Sequence, residues 1–266
     1  MTAALKAEGV SVSFGGVQAL VDVGLEVPEG TMVGLIGPNG AGKTTFIDAI
    51  TGFVRSSGRV ELYGRELSRL TPHERARSGL ARTWQATELF DDLTVAENLA
   101  VASESPSVWG TLREILWRSP SGEAAVHEAL RLVGLEGVAD RMPDELSQGE
   151  RKLVGVARAL AGSPRVVCFD EPAAGLDTSE SEQLGRQLRR VVEEGAAVLL
   201  VDHDMGLVLG VCDHIVVLEF GEVIATGTPD EVRRDPRVVE AYLGGAGARR
   251  AADALDMEAG ACATPC

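Results

Sequence analysis

The stretch "TMVGLIGPNGAGKTTFIDAI", residues 31–50, decides the fold of this 266-residue chain. It opens with a continuous apolar run that ends in glycine, which is typical of a central strand buried on both faces. It closes with a segment of helical character. The residues that join the two, "GPNGAGKT" (37–44), have the spacing G-x-x-x-x-G-K-[ST]. In this strand–loop–helix setting, that spacing predicts a phosphate-binding loop.

The loop predicts where a nucleotide lies. Glycines allow successive backbone N–H groups to curl around phosphate oxygens, and the N-terminus of the following helix adds a favourable positive potential. We expect Lys43 to reach the β- and γ-phosphates of a nucleotide and the Thr44 hydroxyl to ligate Mg²⁺. A glycine-rich turn that merely precedes a lysine is the alternative. The residues predicted to contact the nucleotide here are Gly37, Pro38, Asn39, Gly40, Ala41, Gly42, Lys43, Thr44 and Thr45.

Two acids and a histidine follow other predicted strands. In "RVVCFDE" (165–171), Asp170 is placed to hold Mg²⁺ through water, and Glu171 to polarise the attacking water as a general base. Two acids after a strand are, by themselves, more typical of a solvated loop or a helix cap, but the phosphate loop upstream favours the catalytic interpretation. His203 follows "AVLLVD" (197–202), at a strand end where open α/β sheets place their ligands.

The composition argues against several classes of function. The net charge is −15, which disfavours a nucleic-acid partner and attachment to an anionic membrane by a basic surface. No apolar stretch approaches the roughly 18–20 residues of a membrane-spanning helix, and the N-terminus lacks the apolar region of a signal peptide. We therefore expect a soluble, intracellular chain whose membrane role comes through a partner. Cys168 and Cys212 are expected to be buried free thiols.

The order of the hydrophobic patterns predicts the architecture. Residues 20–27 alternate between apolar and polar side chains and indicate a half-buried strand, with residues 9–14 as its antiparallel neighbour. Strands that alternate with helices indicate a mostly parallel sheet, and a helical stretch interrupts them. The predicted class is therefore α/β, with an antiparallel β subdomain and an inserted α-helical subdomain. The predicted division is a core at 1–88 and 165–243, a helical subdomain at about 89–164, and a flexible Gly/Ala-rich tail at 244–266.

The segment "ELSQGERKLVGVARALA" (145–161) allows two interpretations. Ser147, followed three residues later by Glu150, forms a capping box at the start of an amphipathic helix. Alternatively, the same helix N-terminus binds the phosphate of a nucleotide held by another chain. The two are compatible. We predict that the Glu150 carboxylate turns back to the Ser147 backbone N–H as a structural cap, and that Ser147 is the functional residue.

Five motifs occur in the order and spacing of one family: "GPNGAGKTT" (37–45), "LSQGE" (146–150), "VVCFDEP" (166–172), "AGLD" (174–177) and His203. Over residues 5–243 the chain resembles the ATP-binding cassette (ABC) family. The resemblance implies a P-loop NTPase (RecA-like) core that binds ATP and Mg²⁺ and hydrolyses ATP. "LSQGE" departs from the common family form Leu-Ser-Gly-Gly-Gln, because glutamine replaces the first glycine and glutamate the final glutamine.

The resemblance also implies roles for single residues. Phe14 would stack on adenine. Gln85 would touch Mg²⁺ or the attacking water and couple to the membrane subunit, and His203 would contact the γ-phosphate and help to orient the water. The implied catalytic residues are Glu171, His203 and Gln85, and the implied Mg²⁺ ligands are Thr44, Gln85 and Asp170.

A pair of chains is implied as well. In the family, two ATPase chains close head-to-tail, so that each ATP lies on the phosphate loop of one chain and under Ser147 and Gly149 of the other. Asp177 would lie at that interface and link the two sites. The residues implied to act across the interface are Ser147, Gln148, Gly149 and Asp177.

Two longer segments, residues 81–102 and 199–244, resemble the branched-chain amino-acid uptake branch of bacterial importers. In that branch two ATPase subunits energise two integral membrane permease subunits, which an extracytoplasmic solute-binding protein supplies. The resemblance implies a peripheral position at the cytoplasmic face of the inner membrane and uptake of branched-chain amino acids or related polar solutes. The alternatives are an ABC ATPase of an exporter for lipid or other cargo, and a non-transport ABC regulatory protein.

Overall fold

The computed structural model describes residues 2–83, 89–103 and 120–242. Strands are numbered along the chain within these ranges. They are β1 (Ala3–Phe14), β2 (Val17–Pro28), β3 (Met32–Ile36), β4 (Ser57–Leu62), β5 (Arg65–Glu66), β6 (Leu80–Arg82), β7 (Val166–Asp170), β8 (Ala197–Val201), β9 (His214–Glu219) and β10 (Glu222–Gly227).

Helices connect and cover these strands. They are α1 (Lys43–Thr51), α2 (Pro72–Arg77), α3 (Val95–Ser103), α4 (Pro120–Val133), α5 (Gln148–Leu160), α6 (Thr178–Glu193), α7 (Met205–Val211) and α8 (Pro229–Arg234). Single 3₁₀ turns occupy Glu136–Val138 and Pro143–Glu145. The strand-to-helix step at 31–50 that the sequence predicts is therefore present as β3 followed by α1.

The larger sheet has the strand order β10-β9-β3-β8-β7-β6. From β9 to β6 all neighbours are parallel, and β10 joins β9 in the antiparallel sense. Every residue of β3, β7 and β8 is buried, as their continuous apolar runs predict. The α/β class with a mostly parallel sheet is confirmed. The hydrophobic pattern does not predict β6, because three residues are too few to show a period.

The smaller sheet is antiparallel, with the order β2-β1-β4-β5. Its predicted hairpin is confirmed, since Phe14 pairs with Val17 and Ala7 with Leu25. In β2 the side chains alternate between buried Val23, Leu25 and Val27 and exposed neighbours. This alternation places one face of the small sheet on the core and the other in solvent.

Two apolar cores lie on opposite faces of the larger sheet. Phe169 and Leu200 point into a core shared with α3 to α8. Their strand neighbours Cys168 and Leu199 point into a second core, between the two sheets and around α1. The central strands therefore bury both faces, because successive side chains of a strand point in opposite directions.

The helices between β6 and β7 form the predicted helical region. α3, α4 and α5 pack on one another, and α3 starts at a Thr94 cap, where the Thr94 hydroxyl accepts a hydrogen bond from Glu97 N at 3.3 Å. The subdomain limits stay a prediction. The tail predicted at 244–266 lies outside the described residues.

The fold also shows the length of the helices and the state of two cysteines. No helix within the described ranges is long and apolar enough to cross a membrane. Cys168 and Cys212 are buried free thiols, as predicted, and burial raises the pKa of each to about 12.

A buried arginine fixes the C-terminal end of α1. Arg75 donates through Nη1 to the carbonyls of Ala49 and Ile50, at 2.9 and 2.7 Å. Its Nε and Nη2 donate to the carbonyls of Leu70 and Ser68, at 3.1 and 3.0 Å. Burial lowers the pKa of its guanidinium. The cation satisfies carbonyls that a helix end leaves without partners, and it favours the negative end of the helix dipole.

We predict that Arg75→Met lowers the free energy of unfolding by about 2–4 kcal/mol, because four carbonyls lose a charged donor in a buried setting. Urea denaturation followed by circular dichroism measures the change. Arg69→Met, at an exposed position, is the matched control. A loss no larger than that of the control would contradict the assignment.

Candidate functional site

The phosphate loop leaves β3 through a glycine that no other residue can replace. Gly37 has φ 152°, and a Cβ there would lie 2.1 Å from the Leu218 carbonyl oxygen. Gly42, at φ 104°, is similarly confined, since its Cβ would lie 2.9 Å from the Ala19 carbonyl oxygen. The backbones of β9 and β2 therefore pack closely against the loop on two sides and fix its path.

The start of α1 is arranged for an anion. Gly42 is its N-cap residue and supplies no side-chain hydrogen bond to the helix. The first N–H groups of α1 therefore keep their hydrogen-bonding capacity for a ligand, at the positive end of the helix dipole. Thr44 and Thr45, in the first turn, are both half-buried.

Lys43 is buried against the loop that it follows. Its ammonium donates to the Gly37 and Pro38 carbonyls, at 2.7 and 3.1 Å. Burial lowers its pKa, while the carboxylates of Glu171 and Asp170 act in the opposite direction. The cation is therefore held in place by the loop and faces acids from the neighbouring strands.

The rest of the loop packs on a hairpin turn. Gly221, between β9 and β10, donates to the Ala41 carbonyl at 2.9 Å, and Ala41 donates to Pro38 at 3.1 Å. Asn39 and Gly40, at the tip, are exposed. Phe14, at the end of β1, is 52% exposed, as a stacking platform for a base requires.

Asp170 ends β7 as a buried carboxylate. Burial raises its pKa to about 6, although the Arg82 guanidinium acts to lower it. Its Oδ2 lies 3.5 Å from Arg82 Nη2, and its Oδ1 is buried without a hydrogen-bond partner in the described part of the chain. An orphaned carboxylate oxygen is a donor that Mg²⁺ prefers, and the Thr44 hydroxyl is another.

The described residues contain no cluster of three or more His, Cys, Asp or Glu side chains that could hold a metal ion unaided. The chemistry of the Asp170 carboxylate and the Thr44 hydroxyl fits Mg²⁺, an ion that is usually held beside a nucleotide by one or two protein oxygens together with phosphate oxygens and water.

Glu171 and His203 lie together beyond the ends of β7 and β8. Glu171 adopts φ 49°, an unusual backbone conformation for a residue with a side chain, and its N–H donates to the Val201 carbonyl at 2.7 Å. His203 Nδ1 is 4.0 Å from Glu171 Oε2. The structure thus brings the predicted base and the predicted histidine to one place.

Sequence reasoning misses the acid that organises this edge. Asp202 is fully buried and accepts hydrogen bonds from the N–H groups of Ala173, His203 and Asp204, at 3.0, 2.8 and 3.0 Å. It therefore ties the chain after β7 to the chain after β8. The feature of the sequence that could have indicated this role is the position of Asp202 directly after an apolar strand.

Sequence reasoning also gives no role to Tyr242. Burial raises the pKa of its phenol to about 12, while the backbone of Gly37 acts to lower it. The Tyr242 hydroxyl therefore lies near the first residue of the phosphate loop, and it reaches hydrogen-bond geometry with no atom of the described residues.

The predicted capping box at α5 is confirmed. Glu150 Oε2 accepts from Ser147 N at 2.8 Å, and Ser147 Oγ accepts from Glu150 N at 3.2 Å. The Ser147 backbone hydrogen bond lowers the pKa of Glu150. Glu150 thus turns back into the cap, and Ser147 and Gln148 are exposed.

A second capping box stands beside the first. Asp177 Oδ1 accepts from Glu180 N at 2.8 Å, at the start of α6. A Cβ on Gly149 would lie 2.9 Å from Glu180 Oε1, and a Cβ on Gly175 would lie 2.9 Å from Gln148 Nε2. The residues implied to act across a chain interface are therefore neighbours here. Gln85 lies outside the described residues.

Comparisons with known proteins identify relatives of this chain. The family model described as ABC transporter matches residues 20–174, and the model described as branched-chain amino acid ATP-binding cassette transporter matches residues 222–248. A solved structure described as MJ1267, an ATP-binding cassette of an ABC transporter, superposes with a TM-score of 0.82 at 32% identity. It covers 92% of this chain and 100% of that chain.

Curated relatives extend the likeness over most of the chain. The high-affinity branched-chain amino acid transport ATP-binding protein BraF of Pseudomonas aeruginosa is 38% identical over 248 residues, covering 90% of this chain and 97% of the relative. The lipopolysaccharide export system ATP-binding protein LptB of Haemophilus influenzae is 35% identical over 241 residues, covering 90% and 97%. The chain therefore belongs to the ABC transporter family: it is an ATP-binding cassette ATPase that resembles the branched-chain amino-acid uptake branch.

Proposed function

We propose that this chain is the ATP-hydrolysing subunit of an importer for branched-chain amino acids or related polar solutes. The observation that carries the ATPase assignment is the meeting of Lys43, Asp170, Glu171 and His203 at one edge of the larger sheet. The import assignment rests on the C-terminal match, at residues 222–248, to the branched-chain amino acid model. Export of lipid or other cargo is the competing function, and the similarity to LptB keeps it in the test below.

Within one chain the residues have distinct tasks. The phosphates of ATP bind the N–H groups at the start of α1, Lys43 neutralises the β- and γ-phosphates, and Phe14 stacks on adenine. Glu171 takes the proton of the attacking water, and His203 orients that water and the γ-phosphate. Bound by Thr44, Asp170 and Gln85, Mg²⁺ supplies charge neutralisation to the phosphates.

Two chains complete the site. The exposed N-terminus of α5, with Ser147, Gln148 and Gly149, faces the ATP held by a second ATPase subunit, identical or related. Asp177 lies beside it and links the two sites. Since positioning and electrostatic stabilisation dominate phosphoryl transfer, a single half-site is a poor catalyst.

The membrane partners dock on the helical side. A groove there is lined by Arg82, Thr83, Phe90, Asn98 and Val101, among others. Phe90 and Val101 are 48% and 52% exposed, so the groove offers apolar surface to a cytoplasmic segment of a permease subunit. The chain then sits at the cytoplasmic face of the inner membrane, below two permeases and an extracytoplasmic solute-binding protein.

Glu171→Gln should bind ATP but lose at least about 100-fold of the ATPase rate, because an amide cannot take the proton of the water. Phosphate release measures the rate, and size-exclusion chromatography with ATP should show a retained dimer. Glu66→Gln, exposed on β5, is the matched control. Turnover at the wild-type rate would remove Glu171 from the mechanism.

Ser147→Ala should reduce ATPase activity far more than Glu150→Gln does, because the hydroxyl faces ATP whereas glutamine can still accept from the Ser147 N–H. Thr228→Ala is the control for cap loss alone, since Thr228 and Glu231 form the same box at α8. Each cap loss should lower the unfolding free energy by about 1 kcal/mol. If Glu150→Gln abolishes activity in a folded protein, the division of roles is wrong.

The import assignment is tested in the native organism by measuring uptake of radiolabelled leucine with the wild-type chain or Glu171→Gln as the sole copy. Uptake should fall with the variant, because hydrolysis resets the transporter. Unchanged leucine uptake together with a defect in lipid export would favour the exporter.

A further inference from the structure

One arginine links the Mg²⁺ ligand to the helix that carries the phosphate-binding lysine. Arg82 ends β6 with its side chain only 7% exposed. Its Nη2 lies 3.5 Å from Asp170 Oδ2, and its Nη1 forms an ion pair with Asp48 of α1. Nη1 also lies 3.4 Å from Thr51 Oγ1, and the guanidinium stands 5.5 Å from the centre of the Phe53 ring.

The next residue holds the backbone of the same aspartate. Thr83 Oγ1 accepts a hydrogen bond from Asp170 N at 3.1 Å, and Thr83 N donates to the Cys168 carbonyl at 2.9 Å. Asp170 is therefore fixed at its backbone by Thr83 and at one carboxylate oxygen by Arg82. The other oxygen, Oδ1, is the one without a partner in the described residues.

In this arrangement the two carboxylate oxygens of Asp170 have different roles. The guanidinium beside Oδ2 leaves Oδ1 as the oxygen available to a cation, and its charge favours one orientation of the carboxylate. The ion pair with Asp48 holds the guanidinium itself, so its distance to Asp170 is set by α1. Groups that hydrogen-bond a metal ligand from behind typically contribute 10–100-fold to metal affinity.

We propose that Arg82 is a positioning residue for Mg²⁺: anchored on Asp48, it orients Asp170 so that Oδ1 faces the nucleotide. The inference rests on the proposed function, since it takes Asp170 as a Mg²⁺ ligand. The charged partners of Arg82 are Asp48 and Asp170, so its removal should act on the metal dependence of binding and not on nucleotide binding as such.

The test is isothermal titration of the full chain with a non-hydrolysable ATP analogue, first in EDTA and then at graded MgCl₂. Arg82→Met should leave affinity in EDTA within about 2-fold of wild type and raise the Mg²⁺ concentration for half-maximal tightening by about 10-fold or more. Arg82→Lys should recover part of the loss, because it restores the charge without the planar fork.

Two further variants make the result decisive. Asp48→Asn keeps the guanidinium and removes the negative charge that anchors it, and it should shift the Mg²⁺ requirement in the same direction by a smaller factor. Arg189→Met breaks an ion pair with Asp213 on the surface and is the matched control. An unchanged Mg²⁺ requirement in Arg82→Met and Asp48→Asn overturns the proposal, and so does an equal loss of affinity in EDTA. If wild type itself shows no Mg²⁺ effect, it is the proposed metal site that fails.

Discussion

The parallel pairing of β3, β8 and β7 is the constraint on which the rest of the molecule depends. Each of these strands is buried on both faces, so polar functional side chains can be placed only where the strand ends. Because parallel strands share one carboxyl edge, the phosphate loop, the acids after β7 and the histidine after β8 meet there. The register aligns Asp170 with Val201, so the segments that follow β7 and β8 leave the sheet at the same level.

That edge concentrates negative charge, and this sets its chemistry. Lys43 lies in the combined field of Glu171, Asp170 and Asp202, while Arg82 acts on Asp170 from the other side. Burial of a carboxylate favours its neutral form, and at Asp170 this effect outweighs the charge of Arg82, which explains the raised pKa. A divalent cation would offset the negative charge both of these acids and of a nucleotide's phosphates, so the proposed site suits a nucleotide with its cation better than the nucleotide alone.

Sequence periodicity and motif spacing predict the central strands, the cap of α5 and the phosphate loop, because each depends on contacts within a few residues. They do not predict Asp202 or Arg75, whose partners come from distant segments and whose burial no local pattern reveals. The same holds for Arg82, which follows a two-residue apolar start that is too short to indicate a strand. Sequence reasoning therefore fails in this protein where a buried polar side chain finds its partners far away along the chain.

The two helices that we propose to bind phosphate differ in the hydrogen-bond donors that they offer. At α1 the N-cap is Gly42, which offers no side chain, so backbone N–H groups face the ligand. At α5 the N–H of Glu150 is already taken by Ser147 Oγ. A hydroxyl that accepts one hydrogen bond can still donate another. The N–H groups of Gln148 and Gly149 come before Glu150 in the helix, and the cap does not use them. A phosphate of a nucleotide held by the partner chain would therefore accept hydrogen bonds from the Ser147 hydroxyl and from the first N–H groups of the helix. In this way a capped helix can still bind an anion.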